Sequence, residues 1–309
     1  MKILVTGASG FVGKKLCVYL KEQGHQIVAA VRDETKRVGG IHCIFIGSLD
    51  GKTDWGPALE QVDAVIHLAA RAHILSERSK DPLNEFRLAN TYPTEKLIND
   101  SIKAGVKRFI FISSIGVNGA RTDGSPFKVS DPVRPHSPYA VSKLEAERII
   151  ERLSRDSATD FVILRPPLIY GVDAPGNVGL ISGMLKHNIP IPFGAVSNKR
   201  SFIAIDNLVN VIGLCLHHPK ALNKLILPSD GTDLSTKEFI ELMGIMSGRA
   251  PFIVSVYPRL IDFLLRLIGK ERMSESLLCD LQIDSQYLFE ELGWVPVFKV
   301  CAELNVKES

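Results

Sequence analysis

The sequence has no apolar run long enough to cross a bilayer, no Cys-x-x-Cys pair, no low-complexity linker, no internal repeat and no excess of one charge sign. Each absence removes a class of protein. A spanning helix needs about 20 consecutive apolar residues, and the nearest candidate, Leu260–Ile268, is short and broken by Asp262 and Arg266. It reads as a core helix, with a membrane-surface contact as the alternative. The five cysteines, Cys17, Cys43, Cys215, Cys279 and Cys301, are widely spaced, odd in number and free of clustered histidines. They suggest neither a disulfide framework nor a metal site, and they suit a reducing cytoplasm. Met1-Lys2 leads straight into an apolar strand pattern, so no secretory leader is expected and the expected location is cytoplasmic. The 37 basic and 34 acidic residues give a net charge of +3 and are spread along the chain, so no basic stripe points to a nucleic acid.

What is present is the composition of a globular enzyme: 309 residues, 45% hydrophobic, enough to bury a large core. Short apolar runs at Lys2–Thr6, Gln26–Val31, Cys43–Ile46, Ala64–Ala69, Arg108–Ser113 and Phe161–Arg165 alternate with helical patterns at Phe11–Gln23, Leu83–Ala104 and Pro138–Ser154. This alternation predicts an α/β fold with a doubly wound parallel sheet. Pro93 predicts a kink or break in the second helix. After Gly171 glycine and proline scatter, which marks a smaller lobe over the sheet's C-terminal edge. The expected division is 1–170 for the sheet domain, with 203–216 returning to it as strand and helix, and 171–309 for the smaller lobe.

Gly7, Gly10 and Gly13 stand between the first strand and first helix in G-x-x-G-x-x-G spacing, with Phe11 and Val12 at the helix start. Such a turn lets backbone amides approach a pyrophosphate at a helix N-terminus, the Rossmann-type dinucleotide site. The second strand ends Ala30-Val31-Arg32-Asp33. A guanidinium at Arg32 pairs with a 2′-phosphate, which favours NADP(H); if Asp33 takes the ribose position instead, the cofactor is NAD(H). Asp50, after Leu49, is placed to accept an adenine amino group or to cap a turn.

Tyr139 and Lys143 lie four apart on the third predicted helix, with Ser137 as N-cap and Pro138 as first residue. That spacing places the ammonium near the phenol and the phenol in the helix's first turn, both of which favour a phenolate.

Together Gly7, Gly10, Gly13, Ser114, Tyr139 and Lys143 resemble the extended short-chain dehydrogenase/reductase family in its nucleotide-sugar epimerase and reductase branch, which includes UDP-glucose 4-epimerases and the 4-keto-sugar reductases and epimerases of bacterial O-antigen clusters. The resemblance implies that His67-Leu-Ala-Ala70, with Ala69 and Ala70, lines the cofactor. It implies that Asn90 lies beneath the nicotinamide, that Ser114 is the catalytic serine after the fifth strand, and that Leu164–Gly171, with Pro166 and Leu168, contacts the nicotinamide amide. It implies that Arg200 in Arg200–Asp206 binds the nucleotide diphosphate, and that Leu292-Gly-Trp294 is a later landmark. It also implies dimerisation through the helices after the fourth strand and around Tyr139. Asn177 and Lys199 join Arg200 as diphosphate donors, while Arg71 and His73 face the sugar. Arg272 is a second candidate phosphate ligand.

The departures narrow the chemistry. Dehydratases of this family carry an Asp-Glu pair where this sequence has Ile115 and Gly116. Galactose-type epimerases carry Asn at Leu168 and Tyr at Asn118. The expected activity is therefore NADPH-dependent reduction of the C4 ketone of a UDP-4-keto-6-deoxy-N-acetylhexosamine for surface polysaccharide. The alternative is a UDP-glucose or UDP-GlcNAc 4-epimerase that retains NAD.

Overall fold

A computed structural model describes residues 1–72 and 79–300. The chain runs β1 (Lys2–Thr6), α1 (Phe11–Glu22), β2 (Gln26–Val31), β3 (His42–Phe45), α2 (Gly56–Leu59) and β4 (Ala64–His67). There follow α3 (Pro82–Phe86), a π-helical turn (Arg87–Thr91), α4 (Tyr92–Lys103), β5 (Arg108–Ile112), α5 (Pro138–Ser154) and β6 (Asp160–Leu164). The second half comprises β7 (Leu168–Tyr170), α6 (Gly176–Lys186), β8 (Phe202–Ala204), α7 (Ile205–His217), β9 (Lys224–Ile226), α8 (Thr236–Met246), α9 (Pro258–Leu267) and α10 (Glu271–Leu278).

Seven strands form one parallel sheet in the order β3-β2-β1-β4-β5-β6-β9, and β7 pairs with β8 beside it. The winding reverses between β1 and β4, which opens a crevice at their C-terminal ends. Ile3, Leu4 and Val5 of β1 and Ala64, Val65 and Ile66 of β4 are all fully buried, which explains why these strands are continuous apolar runs. On one face Ile3, Val5 and Ile66 pack with Leu16 and Leu20 of α1 and Leu208 and Ile212 of α7. On the other, Leu4, Val65, Phe109 and Phe111 pack with Trp55, Leu97 of α4 and Ile150 of α5. A third core joins α6, β8, α8 and α10 through Val178, Phe202, Phe239, Ile240 and Leu277.

β9 completes the sheet at its far edge, and Leu288, Leu292 and Trp294 join the α1/α7 core. The stretch Leu83–Ala104, in which Pro93 predicts a kink or break, is three pieces. Pro93 has no N–H for the carbonyl one turn earlier, so the ladder widens into the π turn and restarts with Pro93 in the first turn of α4. The expectation of a core helix at Leu260–Ile268 fails: in α9 only Ile261 is buried, and the other large apolar side chains face outward or lie half-covered.

Candidate active site

β1 ends at Thr6, and the chain turns through Gly7 at φ 68°, a left-handed conformation that favours glycine. A Cβ on Gly7 would lie 2.8 Å from the Ala69 backbone nitrogen, and one on Gly13 would lie 2.2 Å from the Gly7 carbonyl oxygen. The turn is thus pressed between the exit of β4 and the start of α1. Gly10 is the N-cap of α1, whose first turn carries no acidic side chain, so its positive dipole end is left for an anion. Gly7, Gly10, Phe11, Val12 and Gly13 line a cleft of about 480 Å³. Leu68, Ala70, Ser114, Ile115, Gly116, His136, Tyr139, Lys143, Pro166, Leu168 and Arg200 line the same cleft.

Ser114 reaches it because the β5–β6 ladder continues past both strands, with Ser113 N–H donating to Leu164 O at 2.7 Å and Ile115 N–H to Pro166 O at 3.0 Å. The Ser114 hydroxyl accepts from Gly116 N–H at 3.1 Å, which leaves its own proton to donate into the cleft. Tyr139 lies in the first turn of α5, where the Ser137 hydroxyl accepts from Ala140 N–H at 3.2 Å and Pro138 starts the helix.

The electrostatics differ from what the i, i+4 spacing suggests. Lys143 is 2% exposed and sets its ammonium over the Phe111 ring, 4.2 Å from the centroid. Burial lowers its pKa to about 7, with Glu147 pulling the other way. Burial pushes the Tyr139 phenol up to about 12, and the Phe86 ring packs edge-on against it at 5.9 Å.

A buried hydrogen-bond chain ties the glycine turn to α5. Thr94 Oγ1 donates to Asn90 O at 2.6 Å, so it accepts from His67 Nε2 at 2.9 Å, and His67 Nδ1 accepts from Thr6 Oγ1 at 2.6 Å. Burial lowers the His67 pKa to about 3, followed by the field of Lys143, so the ring is neutral. Asn90, placed by the π turn, accepts from Arg71 N–H at 2.7 Å and donates to Ser142 Oγ at 3.0 Å, and Ser142 donates to Tyr139 O at 2.8 Å. Behind Lys143 a second network is buried. Glu147 accepts from Arg165 Nε at 2.9 Å and Nη2 at 2.6 Å and from Ser113 Oγ, while Arg165 Nη1 donates to Asn118 Oδ1 at 2.8 Å.

Other sequence candidates are placed as follows. Arg200 is buried in the cleft wall, Nη1 donating to Cys279 O at 2.6 Å, and burial lowers its pKa to about 10. Asn177 donates to Ser276 Oγ at 2.8 Å, and Ser276 lines the cleft. Arg71 pairs with Glu85 at 2.7 Å and lies over Phe86, outside the cleft lining. His73 falls outside the described residues. Leu49 packs on the α4/α5 core, and Asp50 is a turn residue, accepting from Ser48 Oγ and Lys52 N–H, both at 2.7 Å. Arg32 is exposed beyond β2, and Asp33 Oδ1 accepts from Thr35 N–H at 2.9 Å. Lys199 and Arg272 are exposed and do not line the cleft.

His136 is a cleft residue that sequence reasoning misses. Its Nδ1 lies 3.1 Å from Gly116 O, and a Cβ on Gly116 would lie 2.8 Å from its ring and 3.3 Å from the Ser114 hydroxyl oxygen. The usable signal is Gly116 itself, directly after Ser114-Ile115, where a missing side chain leaves room for an imidazole beside that hydroxyl.

The family model for NAD dependent epimerases and dehydratases matches residues 3–226. A UDP-glucose 4-epimerase of Vibrio cholerae is 38% identical over 95% of this chain and 90% of its own length. One from Halalkalibacterium halodurans is 25% identical over 90% of each. Among solved structures, a UDP-glucuronic acid 4-epimerase from Bacillus cereus in complex with NAD superposes with a TM-score of 0.76 at 22% identity, covering 98% of this chain and 96% of that one. The UDP-glucose 4-epimerase of Thermotoga maritima with UDP-glucose gives 0.75 at 20% identity, with both chains fully covered. The fold is theirs, and the family match takes in the glycine turn, Ser114, Tyr139 and Lys143 together: this chain belongs to the NAD dependent epimerase/dehydratase family.

Proposed function

We propose that this chain is a nucleotide-sugar oxidoreductase that reduces the C4 ketone of a UDP-4-keto-6-deoxy-N-acetylhexosamine, supplying a sugar for surface polysaccharide. The observation that carries the reading is the cleft wall beside Ser114 and Tyr139: Ile115 and Gly116 offer no carboxylate for dehydration, and Leu168 offers no amide at the position where galactose-type epimerases carry Asn. Net reduction needs a proton donor at the carbonyl oxygen, a part the Tyr139 phenol can take.

In this reading Tyr139 gives its proton to the C4 oxygen, and the Ser114 hydroxyl donates to the same oxygen and fixes its position. Lys143, set over Phe111, orients the cofactor ribose. Arg200, with Asn177 behind Ser276, meets the diphosphate. A nicotinamide cofactor, when bound, supplies the hydride. The residues fit one: a cradle that a Cβ would fill and a helix N-terminus free of acidic side chains. We take it to be NAD(H), not the NADP(H) that Arg32 suggests. The family is described as NAD dependent, and the exposed Arg32 lies outside the cleft lining.

The second reading, a UDP-hexose 4-epimerase with retained NAD, is favoured by the 38% identity to the Vibrio cholerae protein. One experiment separates them. Purified protein is examined for bound nicotinamide, then assayed with UDP-glucose and UDP-GlcNAc without added cofactor, and with UDP-4-keto-6-deoxy-N-acetylhexosamine plus NADH or NADPH. Net oxidation of NADH by the keto sugar is the expected result. Tightly held NAD with interconversion of UDP-hexoses and no cofactor consumption overturns it in favour of the epimerase.

A further inference from the structure

α9 is built in the opposite sense to a surface helix. Ile261 is buried and Leu265 packs on the smaller lobe's core, yet Leu260 and Leu264 are each 50% exposed, Phe263 61% and Leu267 72%. Tyr257 just before the helix and Ile268 just after it are also exposed. At 100° per residue, Leu260, Phe263, Leu264 and Leu267 fall in one sector pointing away from Ile261 and Leu265. A face of this size is more than the scattered apolar residues of an ordinary surface.

Charge identifies what the face fits. Arg259 and Arg266 fall on one flank of it and the exposed Lys270 and Arg272 follow the helix, against Asp262, Glu271 and Glu275 near Arg266. Asp262 and Arg266 cancel each other, the carboxylate accepting from Arg266 Nε at 2.7 Å and Ser274 Oγ at 2.6 Å, which leaves Arg259, Lys270 and Arg272 against Glu271 and Glu275, a small positive excess. A second copy of the chain meeting this face about a twofold axis would bring the same cations together, which is unfavourable. Basic side chains beside an outward aromatic and leucine face match an anionic lipid surface, where the apolar side chains enter the acyl boundary and the cations meet lipid phosphates. Among the described residues no helix is long and apolar enough to cross a membrane, so the contact is peripheral.

We infer that α9, with Tyr257, Ile268 and the flanking Arg259 and Lys270, docks this protein onto anionic membranes. The docking face is separate from the cleft: none of α9 lines it. The inference does not depend on which sugar the cleft takes.

The test is co-sedimentation of the full-length protein with vesicles of phosphatidylcholine alone or mixed with phosphatidylglycerol. The expected result is binding to the anionic vesicles that weakens with added salt, and little binding to phosphatidylcholine. Phe263→Glu combined with Leu267→Glu lowers the partition coefficient roughly tenfold or more, and so does Arg259→Glu combined with Lys270→Glu. Both double variants keep the parent's melting temperature and its turnover in solution, because these side chains are exposed. Absence of binding to anionic vesicles overturns the inference, as does equal binding to both vesicle types. So does concentration-dependent self-association, on a sizing column, that the Phe263/Leu267 variant abolishes while vesicles remain unbound, since that makes the occupant a second copy.

Discussion

Tyr139, Ser114 and Lys143 divide the work at the reacting centre, and the division is testable one side chain at a time. Tyr139→Phe removes a hydroxyl and almost no volume. Turnover should fall by about two to four orders of magnitude, the usual worth of a positioned proton donor, while cofactor affinity stays within about twofold. Steady-state assays with a fluorescence titration of NADH check it, and unchanged turnover removes Tyr139 from the mechanism. The three residues were legible in the sequence because helix spacing and the end of a strand fix where they fall. Their electrostatics were not. The spacing of Tyr139 and Lys143 says they share a helix face, but the ammonium settles over Phe111 of β5, a contact made across the fold. His136 was missed for a similar reason. Its loop is held by Thr122 N–H donating to Asp280 O at 2.9 Å and Phe127 N–H to Gln282 O at 2.8 Å, partners more than a hundred residues away in the chain.

Elements are locked together behind the cleft by two polar networks, each with its own consequence. The first runs β1–β4–α4–α5 through Thr6, His67, Thr94, Asn90 and Ser142, and it needs His67 neutral. The folded His67 pKa of about 3 lies below its ordinary 6.5, so the unfolded chain binds the extra proton first. Stability from this group is complete above the ordinary value and is lost as pH falls from there toward about 3, on the order of a few kcal/mol in all. His67→Gln should be less stable than the parent near neutrality yet lose less on going from about pH 7 to about pH 4, as read from urea midpoints. Equal acid slopes would show that His67 titrates freely in the fold. The second network is the Glu147–Arg165 pair, in which both side chains are almost fully buried. Glu147→Gln leaves Arg165 uncompensated, and a loss of about 3 to 5 kcal/mol in denaturant unfolding is expected. A loss under about 1 kcal/mol would mean water reaches the pair. Pro93 signals in the sequence that the helix breaks, but not that the break is a π turn. That detail aims Asn90 at Ser142 and completes the first network.

At the scale of the molecule, the sheet joins two apolar faces, and the end of the described chain is what closes one of them. The strand β9 has only three residues, too short a run to announce itself among loops, and Trp294 lies far along the chain from the strands it covers. Neither return to the sheet could be read from local pattern, whereas the long runs of β1, β4 and β5 could. Trp294 packs with the α1/α7 core and donates from Nε1 to Asn210 Oδ1 at 2.8 Å, while Trp55, the other tryptophan, is fully buried in the α4/α5 core. The two rings therefore report on opposite faces of one sheet. Phe11 packs against both the α1/α7 core and the smaller lobe's core, so the lobe has an apolar bridge to the sheet. Trp55 Nε1 has no hydrogen-bond partner among the described residues, so Trp55→Phe breaks no hydrogen bond and costs what the smaller ring leaves unfilled in a fully buried site. Trp294→Phe gives up a made hydrogen bond as well as ring volume. In urea, each single-tryptophan variant should show one fluorescence transition that coincides with loss of helix by circular dichroism, because neither face keeps its apolar surface covered once the shared strands separate. If the Trp294 signal in the Trp55→Phe variant moves at lower urea than the helix signal, the α1/α7 face opens by itself, and the C-terminal return is a detachable cover and not part of one cooperative core.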